Sequence, residues 1–191
     1  MGLTMIEIRE ATKNKAPEIA NLIMIAMTDD CCLYFCGEGH GLEDFHNMMT
    51  MLVEAEVSQY SYKNTMVAMD GDKVVGVAVS YDGGRLRKLR RAFIEAAKEH
   101  IGKDHTVIDD ETQPGELYLD SLAVLPEYRR LGIARKLVMT TKRKAEKIHL
   151  PCVGLLVDKD NLVGEAFYTS VGFQHEGDSQ WGGHEMKHLI L

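Results

Sequence analysis

The chain has 191 residues, 45% of them hydrophobic, and its 22 basic and 29 acidic residues give a net charge of −7. This negative charge argues against general binding to nucleic acid, and no apolar run approaches the roughly 18 residues of a membrane span. The first residues lack the basic region and apolar core of a signal peptide, so we expect a cytoplasmic protein without membrane partners. The length is sufficient for a sizeable core and indicates a single domain over residues 1–191.

The four cysteines match neither a secreted disulfide framework nor a zinc site. Cys31, Cys32 and Cys36 are crowded together, whereas Cys152 lies far along the chain. Secreted disulfide-rich domains do not show such an uneven distribution. Even with His40, the first three cysteines lack the paired Cys-x-x-Cys spacing of zinc ligands. We therefore predict no bound metal.

The N-terminal half of the sequence predicts a strand, two helices and a hairpin. Apolar residues recur at helical spacing through residues 16–27, and Asp70-Gly71 is strong chemistry for a hairpin turn. The predicted elements are the strand Met5–Arg9, the helices Ala16–Met27 and Leu42–Val57, and the hairpin strands Thr65–Met69 and Lys73–Ser80.

The middle of the chain predicts a helix, a polar loop and a strand. The helix covers Arg87–His100 and begins within the dense basic run 85–91, and the polar loop covers Gly102–Gly115. Residues 117–124 are mostly apolar and suited to a β-strand, and Pro126 ends this run.

The strand leads into a junction that is suited to bind phosphate groups. A good helix pattern begins at Gly132 and continues to about residue 148. The first N–H groups of a helix are unpaired and carry the positive end of its dipole, so the backbone alone can bind a diphosphate. Small residues at Gly132 and Ala134 let this backbone come close, and nearby arginines add positive charge. These are Arg129, Arg130 and Arg135.

The C-terminal part predicts a strand, a helix and a closing hairpin. The strand covers Cys152–Val157, the helix covers Leu162–Ser170, and the hairpin joins Gly172–His175 to His184–Ile190. There is no internal repeat. This order of elements predicts an α/β domain around a mixed sheet, in which crossover helices join neighbouring strands.

The strand and the phosphate-binding junction resemble the GNAT superfamily of N-acetyltransferases, which use acetyl-coenzyme A. The pyrophosphate motif of that family is Gln or Arg, two residues, Gly, one residue, then Gly or Ala. Arg129, Gly132 and Ala134 match this motif. The preceding segment 122–124 is similar to the family's strand segment, whose main chain pairs with the pantetheine arm of the coenzyme.

A second motif of the same family follows at the expected place. Residues 161–173 match it with Asn161, Ala166, Tyr168 and Gly172-Phe173 at the expected intervals. Two motifs in the right order make the resemblance specific. A dinucleotide-binding oxidoreductase is a poor alternative, because no complete G-x-G-x-x-G opens a βαβ unit.

The resemblance implies a GNAT-like fold, which is a mixed and mostly antiparallel sheet of about six or seven strands flanked by helices. It marks residues 85–115 as a helical insertion, because family members often join the flanking strands more directly. It also implies acetyl-CoA as the co-substrate, without a metal. The residues implied to bind this coenzyme are Leu122, Ala123, Val124, Arg129, Arg130, Leu131, Gly132, Ile133, Ala134, Arg135, Asn161 and Tyr168.

The basic run 85–91 at the start of this insertion has several interpretations. It suits a contact with the 3′-phosphate of the coenzyme, with an acidic acceptor or with a partner subunit. A solvated helix face is the favoured interpretation, because long basic side chains cover apolar surface with their stems while their charged heads stay in water.

Tyr168 and Asp120 are the predicted catalytic residues. In the family the tyrosine of the second motif lies beside the coenzyme sulfur, and stabilisation of the leaving thiolate by its hydroxyl is the implied role of Tyr168. The alternative is a core aromatic residue. Asp120 is the candidate general base, since Glu116, Tyr118 and Asp120 alternate onto one face of the strand. A hydrogen bond to a neighbouring loop is its alternative role. The oxyanion is expected to accept a hydrogen bond from a main-chain N–H of residues 122–124.

The predicted reaction is transfer of an acetyl group from acetyl-CoA to a primary amine of a small molecule or peptide. Acidic residues gather in residues 29–56, and in this family that region commonly flanks the acceptor site. A cationic amine is therefore a reasonable acceptor, and an acidic solvated helix is the alternative interpretation. The competing function is a GNAT-like sensor that binds acyl-CoA without turnover. Family habit favours a homodimer.

Overall fold

The described residues form one seven-stranded sheet, and the fold class predicted from the sequence is confirmed. The computed structural model describes residues 6–191, so Met5 of the predicted first strand lies outside the described residues. The strands are β1 (Glu7–Glu10), β2 (Thr65–Asp70), β3 (Lys73–Asp82), β4 (Glu116–Val124), β5 (Cys152–Asp158), β6 (Gln174–Trp181) and β7 (His184–Ile190). Their order in the sheet is β1-β2-β3-β4-β5-β7-β6. Strands β4 and β5 are parallel, and the other neighbouring pairs are antiparallel.

Helices cover both faces of this sheet. They are α1 (Ala16–Met27), α2 (Asp29–Phe35), α3 (Leu42–Glu54), α4 (Leu86–His100), α5 (Ile133–Lys147) and α6 (Leu162–Val171). Residues of α1 to α4 form one apolar core with strands β2 and β3. Residues of α5 and α6 form a second core with β4 and β5 on the other face. Helix α5 can cover the sheet because Leu137, Val138 and Ala145 recur at helical spacing and are buried. In the described part of the chain, no helix is long and apolar enough to cross a membrane.

The predicted helices and strands are present, with two differences near the N-terminus. Helix α1 has the predicted bounds, but α3 ends at Glu54 instead of Val57, because Ala55 is already extended. Helix α2 was not predicted. The sequence signals for this helix are Thr28 before it and acidic residues in its first turn. In the structure Thr28 accepts a hydrogen bond from the Cys31 N–H at 3.5 Å. The other elements begin and end within one or two residues of the predicted bounds. Strand β6 is the exception, because it covers Gln174–Trp181 where the sequence predicted Gly172–His175.

The parallel strands β4 and β5 separate soon after they begin. They pair from Glu116 opposite Cys152 to Tyr118 opposite Gly154, whereas β4 pairs with β3 to its last residue, Val124. Glu116 reaches across Gly154 to His188 on β7, and its Oε2 lies 2.7 Å from the His188 Nε2. A Cβ atom at residue 154 would lie 1.8 Å from this oxygen, so a glycine is required here. The buried Glu116–His188 pair therefore links β4 to β7 across β5, close to the point where β4 and β5 separate.

The basic run 85–91 is not a uniformly solvated helix face, and this prediction was wrong for one residue. The side chain of Arg87 is 87% exposed, but that of Arg90 is only 6% exposed. Arg90 lies on the face of α4 that also buries Leu86, Leu89 and Phe93. Its guanidinium group reaches the polar loop that follows α4, where it pairs with carboxylates. A buried arginine needs such partners, since an isolated buried charge is costly.

Candidate active site

A turn before α5 leaves several backbone N–H groups unpaired. Gly132 has φ 76° and precedes the helix, and Arg130 also has a positive φ, of 66°. The N–H groups of Tyr128 and Arg129 bond to carbonyls within the turn. Within residues 6–191, those of residues 130–135 have no such acceptor. A Cβ atom at Gly132 would meet no protein atom within 4 Å, so the glycine provides the left-handed backbone and an uncovered surface.

The arginines around this turn have different roles. Arg129 Nε donates to the Val124 carbonyl at 3.1 Å, and both terminal nitrogens of Arg135 donate to the Ser170 carbonyl at 3.2 and 3.1 Å. These contacts hold the turn to the end of β4 and to the end of α6. Both side chains still add positive charge beside the unpaired N–H groups. The turn therefore has the unpaired donors and the positive charge that an anion-binding site requires.

The open edge of β4 leads from this turn to the gap between the parallel strands. Beyond Tyr118, the edge of β4 that faces β5 has no strand partner among the described residues. Residues 122–124 lie on this stretch and pair with β3 on their other side, with Leu122 opposite Ala78. Main-chain groups on an open strand edge can pair with an extended ligand.

Asp120 lies at a β-bulge. On the neighbouring strand Val79 pairs with Ser121 and Ser80 pairs with Leu119, which leaves Asp120 as the additional residue on β4. Bulges of this kind redirect a side chain. The Asp120 carboxylate accepts hydrogen bonds from the Tyr81 hydroxyl at 2.9 Å, the Ser121 hydroxyl at 2.9 Å and the Gln59 Nε2 at 3.3 Å.

Burial raises the pKa of Asp120, because desolvation penalises its charged form. The hydrogen bonds from Ser121, Tyr81 and Gln59 and the charge of Arg90 act in the opposite direction. A raised pKa brings a carboxylate closer to the range in which a general base is effective. The position and the environment of Asp120 are therefore suited to accept a proton.

Tyr168 lies on α6 and packs, partly buried, against the second core. Its ring is edge-on to those of Phe167 and Phe173, with centroid distances of 5.3 and 5.4 Å. Burial raises the pKa of Tyr168 to about 12, so the hydroxyl stays protonated at neutral pH. It can donate a hydrogen bond to a thiolate but is a weak acid.

Asn161 has a structural role in the same helix. Its side-chain oxygen accepts a hydrogen bond from the Gly164 N–H at 2.9 Å and so caps the start of α6. A Cβ atom at residue 164 would lie 2.6 Å from the Asn161 amide nitrogen. The start of α6 therefore depends on Asn161 and Gly164, and this cap accounts for the asparagine of the second motif.

A cavity of about 580 Å³ lies beside Asp120, between the separating strands and helix α2. Its wall carries four carboxylates, no lysine or arginine, and the imidazole of His184, whose Nδ1 lies 3.1 Å from Asp158. The carboxylates are Asp30, Glu111, Asp120 and Asp158. Aromatic side chains form much of the remaining wall, and they are Tyr34, Phe35, Tyr60, Tyr118 and Trp181. The cavity is therefore suited to a cationic ligand with an apolar part.

Several residues of this cavity were not predicted from the sequence. Of the acidic residues in segment 29–56, Asp30 alone lines the cavity. Glu111 comes from the polar loop and Asp158 from the end of β5, and neither has a sequence signal. For Trp181 the sequence suggests either a place at the acceptor site or a packing anchor, and the residue both lines the cavity and packs on Phe35, with a centroid distance of 6.2 Å. Tyr168 is not part of the cavity wall.

The four cysteines are free. Cys31 lines the cavity, where burial raises the pKa of its thiol to about 11. It is therefore a poor nucleophile at neutral pH. Within residues 6–191, no group of three or more His, Cys, Asp and Glu side chains is arranged to hold a metal ion.

Comparison with known proteins gives a consistent result. The model of the acetyltransferase (GNAT) family matches residues 35–173. An acetyltransferase of known crystal structure is 26% identical in sequence to this chain. The match covers 96% of this chain and 97% of that protein's chain, with a TM-score of 0.79. An N-acetyltransferase from Staphylococcus aureus Mu50 is 24% identical, with coverages of 97% and 100% and a TM-score of 0.80. The NatC complex bound to Gag peptide and CoA is 17% identical, with both coverages 97% and a TM-score of 0.57. No curated protein matches the sequence significantly.

Proposed function

The chain belongs to the acetyltransferase (GNAT) family and is an acyltransferase, and from this premise we propose that it transfers the acetyl group of acetyl-CoA to a primary amine. One observation carries the proposal. The open edge of β4 runs from the carboxylate-lined cavity at Asp120 and Ser121 to the turn with the unpaired N–H groups before α5. A coenzyme on this edge and an amine in the cavity would therefore meet near Asp120.

The coenzyme is proposed to occupy the α5 side of the gap between β4 and β5. Its pyrophosphate binds the N–H groups of residues 130–135, because these donors are unpaired and lie at the positive end of a helix. The pantetheine arm pairs with the open edge of residues 122–124. This path brings the thioester to the region between Asp120 and Tyr168.

The proposed reaction takes place in a ternary complex without a covalent acyl-enzyme. The amine nitrogen attacks the thioester carbon, a C–N bond forms, the C–S bond breaks, and the thiolate of CoA leaves. A main-chain N–H of residues 122–124 stabilises the oxyanion of the tetrahedral intermediate. Asp120 accepts the proton of the amine, directly or through water, and the Tyr168 hydroxyl donates a hydrogen bond to the departing thiolate.

The acceptor is proposed to be a small cationic amine. The cavity volume of about 580 Å³ is in the range of small-molecule sites. The four carboxylates of its wall favour a cation. An acyl-CoA sensor without turnover is the competing function, and a tyrosine at position 168 of the second motif favours the enzyme. A single domain, a homodimer and a cytoplasmic location stay predictions.

Release of CoA thiol from acetyl-CoA is the experiment that separates the two functions. We expect thiol release with at least one member of a panel of polyamines, aminoglycosides and amino acids, with polycations ahead of neutral or acidic amino acids. Mass spectrometry of the product should show an added acetyl group on nitrogen. Saturable binding of acetyl-CoA with no release for any amine would identify a sensor instead.

The apparent KM for the acceptor is expected to rise with ionic strength. Asp30 is exposed at the mouth of the cavity, so its attraction for a cation is screened over a Debye length of roughly 8 Å at physiological salt. Steady-state kinetics between low and physiological salt measure this effect. The Asp30→Asn variant should show a weaker salt dependence than the wild type. A KM that does not change with salt would contradict an electrostatic role for this carboxylate.

Asp120→Asn is expected to lower kcat/KM about a hundredfold near neutral pH, because the variant cannot accept the proton of the amine. The loss should shrink as the pH approaches about 10, where the amine deprotonates in solution. In the wild type, the rate should rise with pH through the raised pKa of Asp120, and the variant should lack this rise. The pH dependence of kcat/KM is the measurement. An equal loss at every pH would assign Asp120 a structural role.

A further inference from the structure

Only one of the two carboxylate oxygens of Glu111 has a strong hydrogen-bond partner. Its Oε2 receives a charge-assisted hydrogen bond from the buried Arg90. Its Oε1 has only long contacts, at 3.5 Å to the Gln59 Nε2 and at 3.5 Å to the Tyr81 hydroxyl. Both donors lie closer to Asp120, at 3.3 and 2.9 Å. The Glu111 side chain is 9% exposed, so this weakly bonded oxygen is largely removed from water.

The buried groups beside Glu111 share a single buried cation. Arg90 bonds to both Asp110 and Glu111, and its side chain is 6% exposed. Asp110 is 41% exposed and also pairs with the exposed Arg87. Glu111 and Asp120 line the cavity, whereas Asp110 does not. A cation that enters the cavity could therefore donate hydrogen bonds to both carboxylates.

We propose that Glu111 binds the cationic group of the acceptor through Oε1, and that Arg90 is the positioning residue that holds Glu111 for this role. An ammonium group is a stronger donor to Oε1 than a distant amide or hydroxyl, because its hydrogen bond is charge-assisted. Bound there, the ammonium lies beside Asp120. The identification of this cation as the reacting amine rests on the proposed function, but the binding site itself does not.

The chain provides its own probe for this binding. Trp181 is the single tryptophan and lines the cavity, so its fluorescence reports on a ligand that enters. Benzylamine is a suitable cation, because its ring matches the aromatic wall and its ammonium matches the carboxylates. Benzyl alcohol has a similar shape without the charge. Fluorescence titration of the wild type should show saturable binding of benzylamine that is tighter than that of benzyl alcohol.

Glu111→Gln is expected to weaken benzylamine binding about tenfold and to leave benzyl alcohol binding nearly unchanged, because only the charged ligand uses the Glu111 charge. The substitution also weakens the bond from Arg90, so a control for that bond is needed. Asp110→Asn is the matched control. It also removes a carboxylate bonded to Arg90, at 3.0 Å, but one that lies outside the cavity wall. We expect less than a twofold change in this control.

Three results would overturn the proposal: no saturable benzylamine binding by the wild type, an equal loss for both ligands in Glu111→Gln, or an equal loss in Asp110→Asn. Thermal unfolding shows whether each variant is folded. Should Glu111→Gln not fold, Glu111→Asp keeps the charge but shortens the side chain, and it should also weaken benzylamine binding selectively.

A kinetic measurement connects this site to the reaction. For an amine that releases CoA thiol, Glu111→Gln should raise the acceptor KM about tenfold, with a smaller change in kcat and no change in the KM for acetyl-CoA. A fall in kcat alone would contradict the binding role. Glu111-dependent benzylamine binding in a protein that acetylates no amine would leave the cation site standing and remove the proposed function.

Discussion

Gly132→Val is expected to abolish the binding of acetyl-CoA. Gly132 has φ 76°, which valine rarely adopts, and its uncovered surface is where a diphosphate would approach the backbone. A branched side chain would have two effects: it would displace the N–H groups, and it would block the approach of the ligand. Isothermal calorimetry with acetyl-CoA measures the effect, and we expect no detectable heat of binding at concentrations that saturate the wild type.

Two controls separate this effect from backbone strain and from charge. Gly71 has φ 57° in the hairpin between β2 and β3, and a Cβ atom there also meets nothing within 4 Å. Gly71→Val therefore introduces a similar strain away from the gap and should leave acetyl-CoA binding unchanged. Arg130→Ala should weaken binding less than Gly132→Val, because the backbone donors remain. Tight binding by Gly132→Val would remove the basis for a diphosphate site at this turn.

Tyr168→Phe is expected to lower kcat by roughly tenfold to a thousandfold with little change in the affinity for acetyl-CoA. The substitution keeps the ring that packs on Phe167 and Phe173 and deletes only the hydroxyl. The pKa of about 12 makes proton transfer to the leaving thiolate unfavourable, because the thiol that would form has a pKa near 8.5. The loss therefore measures the hydrogen bond from a neutral hydroxyl to the thiolate.

The pH profile gives an independent test of this role. Because the pKa of Tyr168 lies far above neutral pH, the wild type and Tyr168→Phe should show the same pH dependence below about pH 10, with the variant lower throughout. Tyr62→Phe, which removes a hydroxyl outside the cavity wall, is the control and should keep full activity. An unchanged kcat in Tyr168→Phe would make Tyr168 a core residue.

Local sequence patterns were sufficient for most of the fold. Helix α1 was predicted with its observed bounds, because its apolar residues recur at the helical period. The junction of β4, the turn and α5 was also predictable, since Pro126 and Gly132 act through their own backbone preferences. Helix α2 is short and its capping signal is weak, so the pattern did not reveal it.

The cavity wall was much less predictable. Glu111 belongs to a polar loop with no periodic pattern, and it reaches the cavity because Arg90 on α4 bonds to it. The basic run itself did not show that Arg90 is buried, because the sequence alone does not say which face of α4 meets the protein. Asp120 was a candidate from the alternation along its strand, but the bulge at which it lies depends on the register with β3.

The sequence by itself determined the family, the order of the strands and of every helix except α2, and the turn with unpaired N–H groups before α5, because each depends on residues that are neighbours in the chain. The tertiary structure alone decided which carboxylates share the cavity with Asp120. Asp30, Glu111 and Asp158 lie on three different segments, and only the packing of α2 and of the α4 loop beside the separated strands brings them together. Long-range convergence of this kind leaves no periodic or spacing signal, since it depends on side-chain packing between segments that are distant in sequence.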